Sequence, residues 1–263
     1  MDKMITIIRK EWAEVFKNKL IFSTVLFLPL ILAIMPLGML FFFGSIDGMS
    51  AEMNDPEIMA LAGDLCAGLS PVDCSYVYTL NMFVLMFMIL PVAIPVTIAA
   101  YSIVGEKTTR SLEPLLATPI TTPELLGAKI IAAAVPAIIG TWIAFGLFLI
   151  GVKIMATPAV FGEFFKVHWL LAIFFVSPLL AILSTCIAVI VSSRVTDPRV
   201  AEQLSAVVIL PVILLVIGQS VGLILIDRRI MLWLGLVVLV LDALLLWLAI
   251  RLFQRETILT RWK

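Results

Sequence analysis

Three shortages in this chain each exclude something. There is one histidine in 263 residues, His168, so sites that need several imidazoles, such as bis-histidine haem or a histidine-rich zinc centre, are excluded. Three cysteines, Cys66, Cys74 and Cys186, are too few for a disulfide scaffold, and none of them forms a C-x-x-C pair. Charged residues make up 14% of the chain, against roughly 25% in a soluble domain. The 18 basic and 18 acidic residues balance, so no basic excess points to nucleic acid. H-E-x-x-H and G-x-S-x-G are both absent, and an integral membrane enzyme would need a nucleophile–base or metal set, toward which His168 and Asp242 offer little. The chain reads as a non-enzyme.

What is there is apolar: 62% of the residues, where a soluble domain has roughly 45–50%. So few charges cannot cover that much apolar surface in water, and disorder needs the opposite composition. Six long runs carry the excess: 20–43, 80–104, 130–152, 169–193, 203–226 and 230–250. Five hold no charged residue, and the sixth holds Asp242 alone. Each is long enough for a membrane-spanning helix of about 20 residues. None alternates apolar and polar as a barrel strand does. The first is also longer than a signal-peptide core of about 7–15 residues. The expected fold is an all-α, polytopic membrane protein: one membrane domain over 1–263 with six spans.

Basic residues set the orientation. With the N-terminus inside, fourteen of the eighteen Lys and Arg fall on the inner side, so both termini are expected in the cytoplasm. The outer loop 44–79 holds six acidic residues and no basic one. Residues 1–19 form a basic amphipathic segment, with Ile5, Ile8, Trp12, Val15 and Phe16 at helical spacing. Such a helix before a span is expected at the inner interface as an elbow, either as an anchor or in contact with a cytoplasmic partner.

The inner loop 105–129 mixes charges with Leu112, Leu115, Leu116, Ile120, Leu125 and Leu126. A solvated loop has no need of six large aliphatics, so they lie on the bilayer or dock a protein. Thr122-Pro123-Glu124 reads as a helix start, and a short helix is expected over 108–117. Val104–Thr109 is not a phosphate loop, because Glu106 stands where glycine must precede Lys107.

The stretch Glu106-Lys107-Thr108-Thr109-Arg110-Ser111-Leu112-Glu113-Pro114-Leu115-Leu116-Ala117-Thr118-Pro119-Ile120, followed by Glu124 to Lys129, resembles the signature of ABC-2 type transporter permeases. Arg110 and Ser111 replace the family's usual Gly and Thr. The closing segment Arg251–Glu256 is similar too, and the likeness covers nearly the whole chain. The resemblance implies the membrane subunit of an ATP-binding cassette exporter in the cell membrane. It also implies a second permease half and separate ATPase subunits that hold the ATP and Mg2+, with no cofactor in this chain. The loop residues Glu106, Lys107, Arg110, Leu112, Glu113, Leu115, Leu116, Thr118 and Pro119 would pass cassette motion to the spans, together with Ile8, Trp12, Val15 and Phe16 of the elbow. An ion-coupled carrier or channel is the rival reading; carriers place several ionisable groups in their spans, and here only Asp242 is expected there.

Asp242 is read either as a pathway carboxylate or as a hydrogen-bonded link between helices. Pro91 and Pro95, one turn apart, are expected to bend the second span, and the bend is read either as a hinge or as a static kink of the kind spanning helices tolerate. Cys66 and Cys74, in the acidic outer loop, are candidates for a disulfide. Cys186 reads as a packing residue.

Overall fold

The computed structural model describes residues 2–45, 68–108, 120–221, 223 and 226–252. The described residues are helical, with no strand among them. Helix α1 (Asp2–Lys17) is the elbow, and α2 (Lys19–Ser45) follows it as the first span. The second span is α3 (Pro71–Met86), a 3-10 turn (Phe87–Ile89) and α4 (Leu90–Thr108). The third is α5 (Thr122–Met155). After the short α6 (Pro158–Glu163), the fourth joins α7 (Val167–Leu171), a π-helical turn (Ala172–Val176) and α8 (Ser177–Ser192). The fifth is α9 (Pro198–Ser205), a 3-10 turn (Ala206–Ile209) and α10 (Leu210–Ser220), and the sixth is α11 (Arg228–Leu252). These are six helices long and apolar enough to cross a membrane.

Several boundaries differ from the sequence reading, each for a local reason. The expected loop 44–79 gives up its last nine residues to α3. Ser70 caps that helix by accepting from the Asp73 amide, and Pro71 fits the first turn, where an amide would have no helical acceptor and proline has none to leave unpaired. The fifth span begins at Pro198 rather than at residue 203, because Asp197 caps the Arg199 amide. This earlier start places Glu202 inside a spanning helix, so Asp242 is not the sole ionisable residue there. At α5 the cap is Thr121, one residue before the expected Thr122; Glu124 accepts from both its amide and its hydroxyl at 2.8 Å.

The second and fourth spans form the centre of the bundle, and α4 lies along α8. The first, fifth and sixth spans carry most of their large side chains outward, among them Phe41, Leu214, Trp233 and Trp247. That is the surface a bilayer or another membrane helix covers. Small residues set the close approaches. A Cβ on Gly151 would overlap Leu37 of the first span, and one on Gly235 would overlap the Phe175 ring.

Proline shapes the spans by freeing carbonyls, and in three places a side chain from another helix takes the freed group. Pro95 cannot donate to Pro91, and Ser184 Oγ of α8 donates to that carbonyl at 3.1 Å. Pro136 cannot donate to Ala132, and Trp12 Nε1 of the elbow donates there at 3.0 Å. In the π register Pro178 would pair with Ile173, whose carbonyl receives Trp142 Nε1 at 3.1 Å.

A buried charge cluster where the elbow meets the second and third spans

The elbow packs beside the first turns of the third span, and the contacts climb together. Met4 lies by Gly127, Ile7 packs with Leu125 and Ala128, Glu11 pairs with Lys129, and Trp12 reaches Ala132. The buried line of α1 is Ile7, Glu11 and Val15, one residue per turn. The apolar stripe read from the sequence is divided between this packed line and the outer surface of the helix. Val15 is inside and Ile8 and Trp12 are half-buried, while Ile5 and Phe16 face outward, Phe16 with 66% exposure. An acid thus sits in the middle of the docking face, and it needs a base.

Lys129, at the edge of the third span's apolar run, is that base. Its Nζ lies 2.8 Å from Glu11 Oε1, 2.8 Å from Glu106 Oε2 and 2.8 Å from Ser102 Oγ. Two of its three donors are spent in hydrogen bonds to Glu11 and Ser102, and Glu106 Oε2 is held as an ion pair. Lys10 completes the group, with its Nζ 2.5 Å from Glu106 Oε1 and 3.4 Å from Glu14. The side chains of Glu11, Glu106 and Lys129 are 3%, 4% and 6% exposed. Such burial is tolerable only because the two acids and two bases at the centre cancel and are hydrogen-bonded.

The titration of the elbow residues reflects this geometry. Burial alone would push the Glu11 carboxyl up; the Lys129 ammonium, with help from Ser102 and Lys10, holds it below the usual carboxylate range. Burial would lower Lys10, but its hydrogen bond and charge contact with Glu106, aided by Glu11 and Glu14, leave it raised.

Lys107 turns the other way. Its Nζ donates to the carbonyls of Ser192 at 2.9 Å, Ser193 at 2.6 Å and Val195 at 3.1 Å. These lie at the C-terminal end of α8, where carbonyls lack helical partners and a cation is favoured. Adjacent residues at the end of the second span therefore fasten it in two directions: Glu106 to the elbow and third span, Lys107 to the fourth.

Of the residues read from the signature, Glu106 and Lys107 are held inside the helical assembly. Arg110, Leu112, Glu113, Leu115, Leu116, Thr118 and Pro119 lie outside the described residues, as does all of the short helix expected over 108–117 except Thr108, which ends α4. The 3-10 turn Phe87–Ile89 ends two residues before Pro91, and Pro95 lies one turn further on. Asp242 is 5% exposed, and neither carboxylate oxygen has a hydrogen-bond partner among the described residues. Cys74 is disulfide-bonded, and Cys66 lies outside the described residues. Cys186 is a buried free thiol. No group of three or more metal-ligating residues occurs among the described residues.

Sequence reasoning missed Glu11, Lys10, Ser102 and Glu202 as site residues. Glu11 carried a signal, since it falls between Ile7 and Val15 at steps of four. An acid on an otherwise apolar line implies a basic partner on the neighbouring helix.

The family model described as ABC-2 family transporter protein matches residues 5–248 of this chain. No curated protein matches it.

Proposed function

From the premise that the chain belongs to the ABC-2 family of transporter proteins, we propose that it is the permease subunit of an ATP-driven exporter of the cell membrane. A separate cassette ATPase binds ATP and Mg2+, and a second permease half completes the pathway. The elbow end faces the cytoplasm, in keeping with the distribution of basic residues.

One observation carries the mechanism. The signature loop leaves the second span at Glu106 and Lys107 and enters the third at the capped Thr121; the first root belongs to the charge cluster of the elbow, and the second packs on the elbow through Ile120 and Leu125 against Ile7. A push on that loop by a cassette subunit acts at once on α4, α5 and α1, and through Lys107 on α8. Paired charges in a dry setting transmit such a push stiffly, because separating them is costly. Leu112, Leu115 and Leu116 supply the apolar surface on which the cassette docks.

The test is co-purification of the tagged permease with a cassette ATPase encoded beside it, then transport and ATPase assays in proteoliposomes. Changing Leu112, Leu115 and Leu116 together to Asp leaves insertion intact, since the loop lies outside the apolar runs, and uncouples hydrolysis from transport. Normal assembly with normal transport in that variant rejects the reading.

A further inference from the structure

Glu202 is an unbalanced charge in the bundle. It lies in the second turn of the fifth span and accepts from Thr97 Oγ1 of α4 at 2.6 Å. Thr97 sits nine residues from Glu106, about 13 Å along the helix, and well within the uncharged run 80–104. This sets the carboxylate beside the apolar run of the second span, where an ionised group calls for protein partners or water. A carboxylate offers about four lone-pair sites. Thr97 fills one, and no base lies within ion-pair distance among the described residues. Arg199, one turn nearer the elbow end, makes no ion pair with it.

Glu202 is half-buried and can be reached from outside the bundle, next to the exposed Gln203. Further along the same two spans, Tyr78 Oη donates to the Ser220 carbonyl at 3.4 Å. Near that contact are two buried amides with unspent capacity: neither polar atom of the Asn81 side chain, nor Gln219 Oε1, has a partner among the described residues. The seam between the second and fifth spans thus offers an acid toward the elbow end and hydrogen-bonding groups toward the other.

We infer that Glu202 is the recognition point for the cationic head of an amphiphilic substrate held in this seam. The inference rests on the export reading above and names its substrate class: an apolar tail with a protonated amine. The ammonium fills the lone pairs that Thr97 leaves open and cancels the charge, and the tail lies against the apolar faces of α9 and α10.

The test uses the full-length permease in phosphatidylcholine nanodiscs, with dodecylamine as probe and dodecanol as the uncharged control of equal chain length. The wild type should show a saturable rise in Tm with dodecylamine, absent with dodecanol. Glu202→Gln keeps the size of the side chain and an acceptor for Thr97; it should fold normally and bind dodecylamine at least tenfold more weakly. Equal binding by the Gln variant overturns the inference. So does an equal response to amine and alcohol, which would be tail burial alone. A wild-type Tm that responds to pH but not to amine would make Glu202 a proton site and also overturn it. Binding to the permease alone does not involve the cassette, so failure here leaves the export reading standing. Failure of cassette association leaves this result standing in turn.

Discussion

The indole N–H of Trp12 donates to the carbonyl of Ala132 at 3.0 Å, and that carbonyl is free because Pro136, four residues on, has no amide to give it. A helix defect in the third span has become the docking point of the elbow. Trp12→Phe keeps the ring but strands a half-buried carbonyl, at a cost of about 1–3 kcal/mol. In a Pro136→Ala background the new amide can satisfy Ala132, so the Trp12→Phe penalty should shrink markedly. Thermal unfolding of the four proteins of this cycle measures the coupling. Equal penalties in both backgrounds would reject it.

Ser184 and Pro91 repeat the arrangement between the fourth and second spans, with Pro95 as the residue that frees the carbonyl. If Pro91 and Pro95 form a hinge, Ser184 sets its stiffness. Ser184→Ala should change transport more than it changes permease–cassette assembly, and Pro95→Ala should suppress that change. Wild-type transport in Ser184→Ala argues for a static kink.

The charge cluster gives a pH dependence with a definite sign. Glu11 has its pKa lowered in the folded protein, so its contribution is complete above the usual value of 4.5 and is lost as pH falls through the lower folded value. Lys10 is raised, so its contribution is complete below 10.5 and is lost as pH rises through the higher folded value. Tm should be level across the neutral range and fall in acid. Glu11→Gln should lower the neutral Tm and flatten the acid limb. Lys129→Met leaves two buried acids short of a base and should cost about 3–5 kcal/mol, the penalty for breaking a buried pair. An unchanged acid limb in Glu11→Gln would show that the titrating group lies elsewhere.

How much of this was legible in the sequence follows from what kind of signal each feature leaves. The six spans are composition, and composition survives any packing; all six appear as helices. The helix start at Thr122-Pro123-Glu124 is legible to within one residue, the cap being Thr121, whereas the caps at Ser70 and Asp197 lie where an apolar run alone sets the expected boundary. The cluster was only half legible. Glu106 and Lys129 stand in the family-like signature, but nothing in the linear chain says that Glu11, 118 residues from Lys129, closes the pair. The partner of a proline-freed carbonyl is likewise a three-dimensional fact. Trp12 was singled out as an apolar anchor, and the structure uses its N–H as well.

Asp242 separates two readings of a buried acid. It is enclosed on α11, with no hydrogen bond to either oxygen among the described residues, so the interhelical link expected of a structural acid is not made. An ionisable residue at mid-span costs at least about 2.5–3.5 kcal/mol on insertion scales. Asp242→Leu should therefore raise Tm, and Asp242→Asn should raise it less, since the amide stays unpaired. A lower Tm for Leu would reveal a stabilising role for the carboxylate. A higher Tm with lost transport would mark it as a functional group kept at a cost to stability.

Cys74 is disulfide-bonded, and Cys186 is free and buried, so the bond has a simple titration test. With a Cys66–Cys74 bridge, protein prepared without reductant should show one thiol per chain after denaturation, and reduced protein should show three. Non-reducing peptide mapping should give a single cross-linked pair. The bridge closes a short loop at the start of α3, next to Asp73. Asp73 in turn accepts from Ser70 and from Thr157 of the following span connection, both at 2.8 Å. Reduction should loosen that end of the bundle by up to about 3 kcal/mol in the chain-entropy account and leave the elbow cluster untouched. The readout is a Tm that falls on reduction in the wild type and not in Cys74→Ser. Three free thiols before reduction would remove the bridge. Labelling of reduced Cys74 by a membrane-impermeant maleimide added from the cytoplasmic side would reverse the assigned orientation.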